Sequence, residues 1–231
     1  MRANWKLPVA CLATITLLMT AGCGGDDEGT PAAINGPQGE GTQADTDPAG
    51  ESVEEPLPDP KHPLVVLETS LGKITLQLDR QNAPITVDNF LQYVETGHYD
   101  GTIFHQLIKD QPKVVIGGAF TADRKEKPAR TSIYCEAHNG LSNRRGTVTM
   151  ARQPGNVHSA TSYFFINLSD NQEELDHKDR TPEGYGYCVF GEVVDGMDVL
   201  DKILEVEVED LPEFERAPVE DITIDAAYRL E

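Results

Sequence analysis

Two short runs rich in β-branched and aromatic residues, joined by a polar loop, constrain the fold of this chain most strongly. The runs span residues 147–152 and 162–167, and the loop between them is rich in Gly, Asn, Pro and Ser. Side chains of a strand alternate between two faces, which places Tyr163, Phe165 and Asn167 on one face and Phe164 and Ile166 on the other. The segment therefore predicts antiparallel strands with one buried face and one face that carries functional side chains. A buried hairpin without chemistry is the alternative.

The residues before this segment predict a hairpin and a helix. Residues 64–69 and 73–78 are strand-like, and Leu71-Gly72 between them is typical of a hairpin turn. A helix should follow, beginning near Pro84 and ending before Gly97. Its apolar stripe consists of Ile85, Val87, Phe90, Leu91 and Val94.

The C-terminal part of the sequence predicts three more elements. We expect a core strand over 186–193, a short amphipathic helix over 195–204 and a closing strand over 219–228. No internal repeat is visible in the sequence.

Two stretches of the sequence resemble a known family. They are LGKITLQLDRQNAPITVDNFLQYVETGHYDGTIFH, residues 71–105, and MARQPGNVHSATSYFFIN, residues 150–167. Both resemble the cyclophilin-type peptidyl-prolyl cis-trans isomerases of bacteria, and the likeness extends from Leu64 to the C-terminus. The resemblance implies a mainly β fold over residues 62–231, a closed eight-stranded antiparallel β-barrel capped by two α-helices. A closed barrel leaves no sheet edge exposed.

The same resemblance implies catalysis of rotation about Xaa-Pro peptide bonds. That rotation crosses a barrier of about 18–20 kcal/mol, because the C–N bond has partial double-bond character. An apolar pocket for the proline ring and a hydrogen-bond donor to the twisted amide lower this barrier, and neither a metal nor a cofactor is needed. In the family, one Phe of a Phe-Phe pair forms the floor of the proline pocket. By position this residue is Phe165.

The hydrogen-bond donor of the family is replaced in this chain. The family's Phe-His-Arg run reads Phe104-His105-Gln106, so His105 and Gln106 occupy the catalytic positions and Gln106 stands in place of the arginine. Hydrogen bonds from charged donors are about twice as strong as those from neutral donors. Loss of that charge at a transition-state contact should cost about 2–3 kcal/mol, or about two orders of magnitude in rate.

Most other pocket positions implied by the resemblance also differ. The segment before Gly117-Gly118 is longer than in the family, so this side of the pocket has been rebuilt. The family's Phe, Met and Gln there become Lys113, Val114 and Ile116, the Gln before Phe-Phe becomes Tyr163, and the aromatic residue before Leu175 becomes Glu174. The substrate-binding residues that the resemblance indicates are Phe165, Ala151, Arg152, Val114, Ile116, Tyr163, Leu175 and Tyr187.

Several residues near the pocket have more than one interpretation. Arg152 could supply the charge that Gln106 lacks, or it could be a solvated loop residue, which is what we expect. We expect His105 to be a packed, hydrogen-bonded strand residue, because bond rotation transfers no proton. His158 and His177 are expected to be ordinary loop residues.

Residues 1–22 resemble the signal peptide of a bacterial lipoprotein. Positive charges precede an apolar run over 7–19 that is short for a membrane span and typical of an export signal. Residues 20–23 resemble a lipobox, with cleavage before Cys23 and lipid on its sulfur. Thr20 departs from the usual Leu, and a plain secretory peptide is the alternative. Lipid on Cys23 would anchor the protein to a bacterial membrane at the cell envelope, facing the periplasm or the exterior.

Composition and charge limit the classes of partner that the protein can bind. Residues 24–60 contain no Lys or Arg and almost nothing large and apolar, so 23–61 is expected to be a disordered acidic linker. The formal net charge of -20 argues against nucleic acid and anionic membrane surfaces as partners. We therefore expect a monomer that binds Xaa-Pro segments of exported polypeptides and touches a membrane only through its lipid.

The cysteines predict neither a metal site nor a required disulfide. Cys11 would leave with the signal peptide and Cys23 would carry the lipid, so only Cys135 and Cys188 could pair. We expect two free, half-buried thiols. No CxxC or His/Cys spacing indicates a metal site, and no cofactor is expected.

Three functions fit these observations. The first is an envelope-anchored prolyl isomerase, slowed by Gln106, that assists the folding of exported proteins. The second is an inactive cyclophilin-like module that binds or chaperones extended peptides. The third is a scaffold in which the barrel has no activity, because a fold alone does not determine function.

Overall fold

Alternating apolar residues form eight strands that close into an antiparallel barrel in the computed structural model, which describes residues 59–230. The order around the barrel is β1-β10-β3-β4-β6-β5-β7-β2, and the short strands β8 and β9 pair only with each other. The predicted eight-stranded barrel is therefore confirmed. In chain order the strands are β1 (Leu64–Thr69), β2 (Gly72–Leu78), β3 (Thr102–Ile108), β4 (Val114–Thr121), β5 (Thr147–Met150), β6 (Phe164–Asn167), β7 (Val189–Asp195), β8 (Val208–Glu209), β9 (Ala217–Pro218) and β10 (Ile222–Arg229).

Three helices accompany the barrel in the described part of the chain: α1 (Pro84–Glu95), α2 (Gln172–Leu175) and α3 (Met197–Glu205). Two of them, α1 and α3, were expected from the sequence, and α2 is an additional single turn. None of the helices within residues 59–230 is long and apolar enough to cross a membrane.

Helix α1 begins at a proline and is capped from a distant loop. Pro84 occupies the first turn, where the missing N–H costs nothing. The Glu136 carboxylate accepts hydrogen bonds from the backbone N–H groups of Ile85 and Thr86, at 3.2 and 2.9 Å, and from the Thr86 hydroxyl at 2.7 Å. A negative charge at a helix N-terminus is favourable because it faces the positive end of the helix dipole.

Aromatic rings fill the interior of the barrel. Phe90 from α1 meets Phe164 edge to face, with ring centroids 5.5 Å apart, and lies 5.0 Å from Phe190. The Phe104 ring also meets that of Phe164, with centroids 6.0 Å apart. The face of β6 that carries Phe164 and Ile166 is thus the inner face, as the alternation predicts.

Two predicted strands begin later than expected. Strand β7 begins at Val189 rather than at 186, because Gly186 has a φ of +73°, outside the strand region. Strand β10 begins at Ile222 rather than at 219. The preceding residue pair Ala217–Pro218 belongs to β9, and the Val219 N–H donates to the Glu207 carbonyl group.

The two remaining cysteines are free, as expected, but they are more buried than expected. Cys135 is 4% exposed and Cys188 is 2% exposed. Burial raises the pKa of the Cys135 thiol and raises that of Cys188 to about 12. The predicted signal peptide over 1–22, the lipid site at Cys23 and all but the last residues of the linker over 23–61 lie outside the described residues.

Candidate functional site

The outer face of the barrel carries a row of three cross-strand neighbours at the predicted pocket. Gln106 on β3 is opposite Ile116 on β4, which in turn is opposite Phe165 on β6. Because neighbouring strands lie about 4.7–4.9 Å apart, Gln106 and Phe165 are separated by about 9–10 Å along this row. The central residue of the row, Ile116, is apolar, so Gln106 is the polar residue of the row.

Phe165 belongs to an apolar cluster that is separate from the barrel core. Its ring is only 3% exposed, so the surrounding side chains cover most of the pocket floor. The Tyr187 ring lies against it at a centroid distance of 5.7 Å and an interplanar angle of 76°. The cluster, which we call the outer cluster, consists of Ile108, Val114, Ile116, Phe165 and Leu175, with Ala151 and Tyr187 packed against it.

A β-bulge places two consecutive residues of β3 on the outer face. Phe104 pairs with Gly117 and Gln106 pairs with Ile116, so His105 is an extra residue in β3. Phe104 packs in the core, whereas Gln106 is half-buried and its side chain makes no hydrogen bond within residues 59–230. The bulge brings His105 and Gln106, the two positions predicted to be catalytic, to the same side of the sheet.

His105 is packed as expected, but it is not hydrogen-bonded as expected. Its ring lies 4.9 Å from Phe120, 5.3 Å from Phe214 and 5.9 Å from Tyr163. Its Nδ1 atom is buried without a hydrogen-bond partner in the described part. Burial, followed by the positive charge of Arg124, lowers the pKa of His105 to about 3. The ring is therefore neutral and cannot act as an acid at physiological pH.

Tyr163 lies with His105 rather than with the outer cluster. Its ring lies 5.8 Å from Phe120, and its hydroxyl group donates a hydrogen bond of 2.6 Å to Oε1 of Glu126. Burial, followed by the hydrogen bond with Glu126, raises the pKa of Tyr163, so the hydroxyl group keeps its proton. Its role as a substrate-binding residue stays a prediction.

Arg152 is buried, so the expectation of a solvated loop residue is wrong. The side chain is 6% exposed, and its Nε and Nη2 atoms donate to the carbonyl groups of Gly186 and Pro182, at 2.9 and 2.8 Å. The guanidinium carbon lies 4.8 Å from the centroid of the Tyr187 ring. These contacts hold Arg152 behind Tyr187, and they give the loop before β7 a fixed position.

The buried Asn171, which no pattern in the sequence predicts as functional, holds the rebuilt loop beside the pocket together with Asn167. Asn171 donates to the Lys113 carbonyl group at 2.9 Å and accepts from the Lys113 N–H at 3.1 Å and from Gln111 at 2.8 Å. It also donates to Oδ1 of Asn167 at 2.8 Å. The signal in the sequence is Asn167 itself, a polar residue that ends the apolar run of β6. These bonds fix the loop that leads into Val114.

The other predicted residues occupy the edge of the site or a different surface. Glu174 is exposed beside Leu175. His158 and His177 lie on a surface with Tyr185, at centroid distances of 5.9 and 5.1 Å. A separate open cleft of about 450 Å³ lies over β2 and β7 and contains none of the predicted pocket residues. No group of three or more His, Cys, Asp or Glu residues within 59–230 is arranged to hold a metal ion.

The barrel and the outer cluster together match one family. The model of the cyclophilin-type peptidyl-prolyl cis-trans isomerases matches residues 64–229, and the chain belongs to this family. It is 47% identical over 163 residues to a peptidyl-prolyl cis-trans isomerase of Streptomyces antibioticus, covering 71% of this chain and 96% of the relative. It is 43% identical over 163 residues to peptidyl-prolyl cis-trans isomerase B of Escherichia coli, covering 71% and 97%.

A solved structure shows the same fold. A cyclophilin-type peptidyl-prolyl cis-trans isomerase of Cryptosporidium parvum, crystallised in the presence of the dipeptide Ala-Pro, matches with a TM-score of 0.58 and 21% identity. The match covers 73% of this chain and 99% of that chain. The barrel architecture is therefore shared even where the two sequences have diverged.

Proposed function

We propose that this protein isomerises Xaa-Pro bonds of exported polypeptides at the cell envelope, at a rate reduced by Gln106. The observation that carries this proposal is the position of Phe165, on the outer face of the barrel beside Leu175 and Tyr187. An aromatic ring with apolar walls suits the ring of a proline.

The reduced rate follows from the replacement of the family's arginine donor by Gln106. Gln106 carries no charge, and its neighbour in the row is Ile116, which offers no hydrogen bond. The twisted amide of the transition state would therefore meet a weaker donor than the arginine of the family.

A second candidate is a peptide-binding module without turnover. The replacement of the family's arginine by Gln106 favours it, because a groove that keeps its apolar walls but lacks the catalytic donor can still hold a peptide. The Phe165 ring is only 3% exposed. Side chains of the outer cluster would have to move for a proline to enter. Binding would then be retained while the rate stays at the uncatalysed value.

The test is NMR exchange spectroscopy on an Ala-Pro peptide with the purified chain. We expect exchange above the uncatalysed rate, and Phe165→Ala should lower it by at least tenfold, because the pocket floor is removed. Val194→Ala, at an exposed position on β7, is the matched control and should leave the rate unchanged. Combining Gln106→Arg with Ile116→Gln should raise the rate.

The possible outcomes separate the candidates. Peptide binding without exchange would support the module, and a folded protein that neither binds nor accelerates would leave only the scaffold. If the Gln106→Arg, Ile116→Gln variant folds but stays inactive, the rebuilt loop rather than the missing charge limits the rate.

The location at the envelope rests on the N-terminal sequence. The charged start, the apolar run and the small residues before Cys23 support cleavage and lipidation there. Lipid on Cys23 would hold the barrel in water at the end of an acidic linker. Exported proteins that fold there would benefit from a catalyst, because uncatalysed Xaa-Pro isomerisation takes tens of seconds or more.

A further inference from the structure

The buried Arg152 has no acidic partner. It forms no ion pair with any carboxylate among residues 59–230, although eight other basic side chains of this part do. Its polar contacts are the carbonyl groups of Gly186, Pro182 and Gln153, at 2.9, 2.8 and 3.4 Å. Burial of an unpaired charge is unfavourable, so its position requires a reason beyond packing.

The reason lies in what the guanidinium group faces. It covers the ring of Tyr187 at 4.8 Å, a distance at which a cation and an aromatic face attract each other. The Tyr187 ring in turn meets Phe165 nearly at right angles. Arg152, Tyr187 and Phe165 thus form a continuous stack that ends in the proline pocket.

The Tyr187 hydroxyl group is the unused polar group of this stack. It makes no hydrogen bond in the described part of the chain, and the side chain is only partly exposed. Burial raises the pKa of Tyr187, with the charge of Arg152 acting in the opposite direction. The phenol therefore keeps its proton at physiological pH and can donate a hydrogen bond.

We propose that Tyr187 donates a hydrogen bond to the twisted Xaa-Pro amide, and that Arg152 is a positioning residue that holds the Tyr187 ring against Phe165. This inference rests on the proposed function. The acceptor is the prolyl nitrogen, whose lone pair becomes available only when the amide is twisted, so the bond stabilises the transition state selectively. No covalent bond forms or breaks.

Gln106 is the competing donor, and it lies farther from Phe165 than Tyr187 does. It is about two strand spacings from Phe165, with Ile116 between them, whereas Tyr187 contacts the Phe165 ring directly. The two candidates can be separated because each can lose its donor while keeping much of its bulk.

The test measures kcat and KM for an Ala-Pro peptide with the full chain. Tyr187→Phe removes only the hydroxyl group, and it should lower kcat about tenfold or more while KM stays within about twofold. Gln106→Leu, the matched loss of the competing donor, should lower kcat by less than Tyr187→Phe does. Unchanged kcat in Tyr187→Phe, or a larger loss in Gln106→Leu than in Tyr187→Phe, would overturn the proposal.

The role of Arg152 is tested by a double-mutant cycle. Arg152→Met should lower kcat in the wild-type background but have little further effect in the Tyr187→Phe background, because it acts through the hydroxyl group. Arg152→Lys, which keeps the charge, should restore part of the lost kcat. Independent effects of the two substitutions would contradict the positioning role, and urea unfolding identifies any variant that fails to fold. If the unaltered chain shows no acceleration at all, the proposed function fails first.

Discussion

His105 occupies a position predicted to be catalytic, yet its surroundings suit a structural role. The rings of Phe120, Tyr163 and Phe214 enclose it, and no hydrogen bond compensates its buried Nδ1 atom. A neutral imidazole packs there as an aromatic ring, whereas an imidazolium would be desolvated and would face the positive charge of Arg124. The residue therefore links stability to pH.

Acid should destabilise this protein through His105. Its folded pKa of about 3 is below the value of about 6.5 expected in the unfolded chain, so between these values the unfolded state binds the proton first. The stabilisation is present above about pH 6.5 and is lost as pH falls towards 3, by up to about 1.4 kcal/mol per pH unit. Urea unfolding from pH 7 to 4 measures this loss.

The matched variants for this measurement are His105→Phe and His138→Phe. The first should show a shallower decline in unfolding free energy than the wild type, because the buried titrating group is gone. The second changes an exposed histidine and should follow the wild type. Parallel curves for the wild type and His105→Phe would show that the ring is protonated without cost.

At the scale of single elements, α1 depends on a residue far away in the sequence. Glu136 precedes β5 in the chain, and its carboxylate binds the first turn of α1. The same Thr86 hydroxyl group lies 3.4 Å from Sγ of the buried Cys188, so the helix N-terminus is tied to the start of β7 as well. The helix is fixed at the barrel end by this cap in addition to its apolar stripe.

Glu136→Gln should destabilise the protein by about 1–2 kcal/mol. The amide has one acceptor oxygen instead of two and no charge, and its NH₂ group would face the N–H donors of α1. The midpoint of urea unfolding measures the change. Glu220→Gln, at an exposed position, is the control and should leave the midpoint unchanged. An equal midpoint for both variants would show that the cap contributes nothing.

Local patterns predicted the elements, and long-range contacts account for what was missed. The alternation in β6 and the apolar stripe of α1 depend on residues close in sequence. The structure confirms both, except that Ile85 of the stripe is 45% exposed. The outward position of His105 depends on the β-bulge in the pairing of β3 with β4, and the burial of Arg152 depends on the loop before β7. Neither partner can be identified from the residue's own neighbours, which is why Arg152 was expected in solvent.

At the scale of the whole molecule, the predicted anchor and the barrel divide the chain into parts with different tasks. Residues 64–229 carry the family match and the outer cluster, whereas the charge-poor apolar run and Cys23 precede them. The formal net charge of -20 keeps an anionic membrane surface from attracting the protein directly. Attachment to a membrane would therefore depend on lipid.

Lipidation predicts a specific mature N-terminus. In a bacterial host that processes lipoproteins, intact mass spectrometry of the full chain should show cleavage before Cys23 and a mass increase for diacylglycerol. Cys23→Ala should abolish incorporation of labelled fatty acid, whereas Cys135→Ala, which changes a buried thiol, should retain it. Cleavage at another position without lipid would leave a secreted protein instead.

The pairing of β1 with β10 has a consequence for synthesis. Strand β1 can pair with β10, one of its two neighbours in the barrel, only after β10 has left the ribosome. Until then the nascent chain has open strand edges and cannot complete its hydrogen-bond ladder. A chain that stays unfolded until its translation ends can still be threaded through a narrow translocation channel, which is what the proposed export requires.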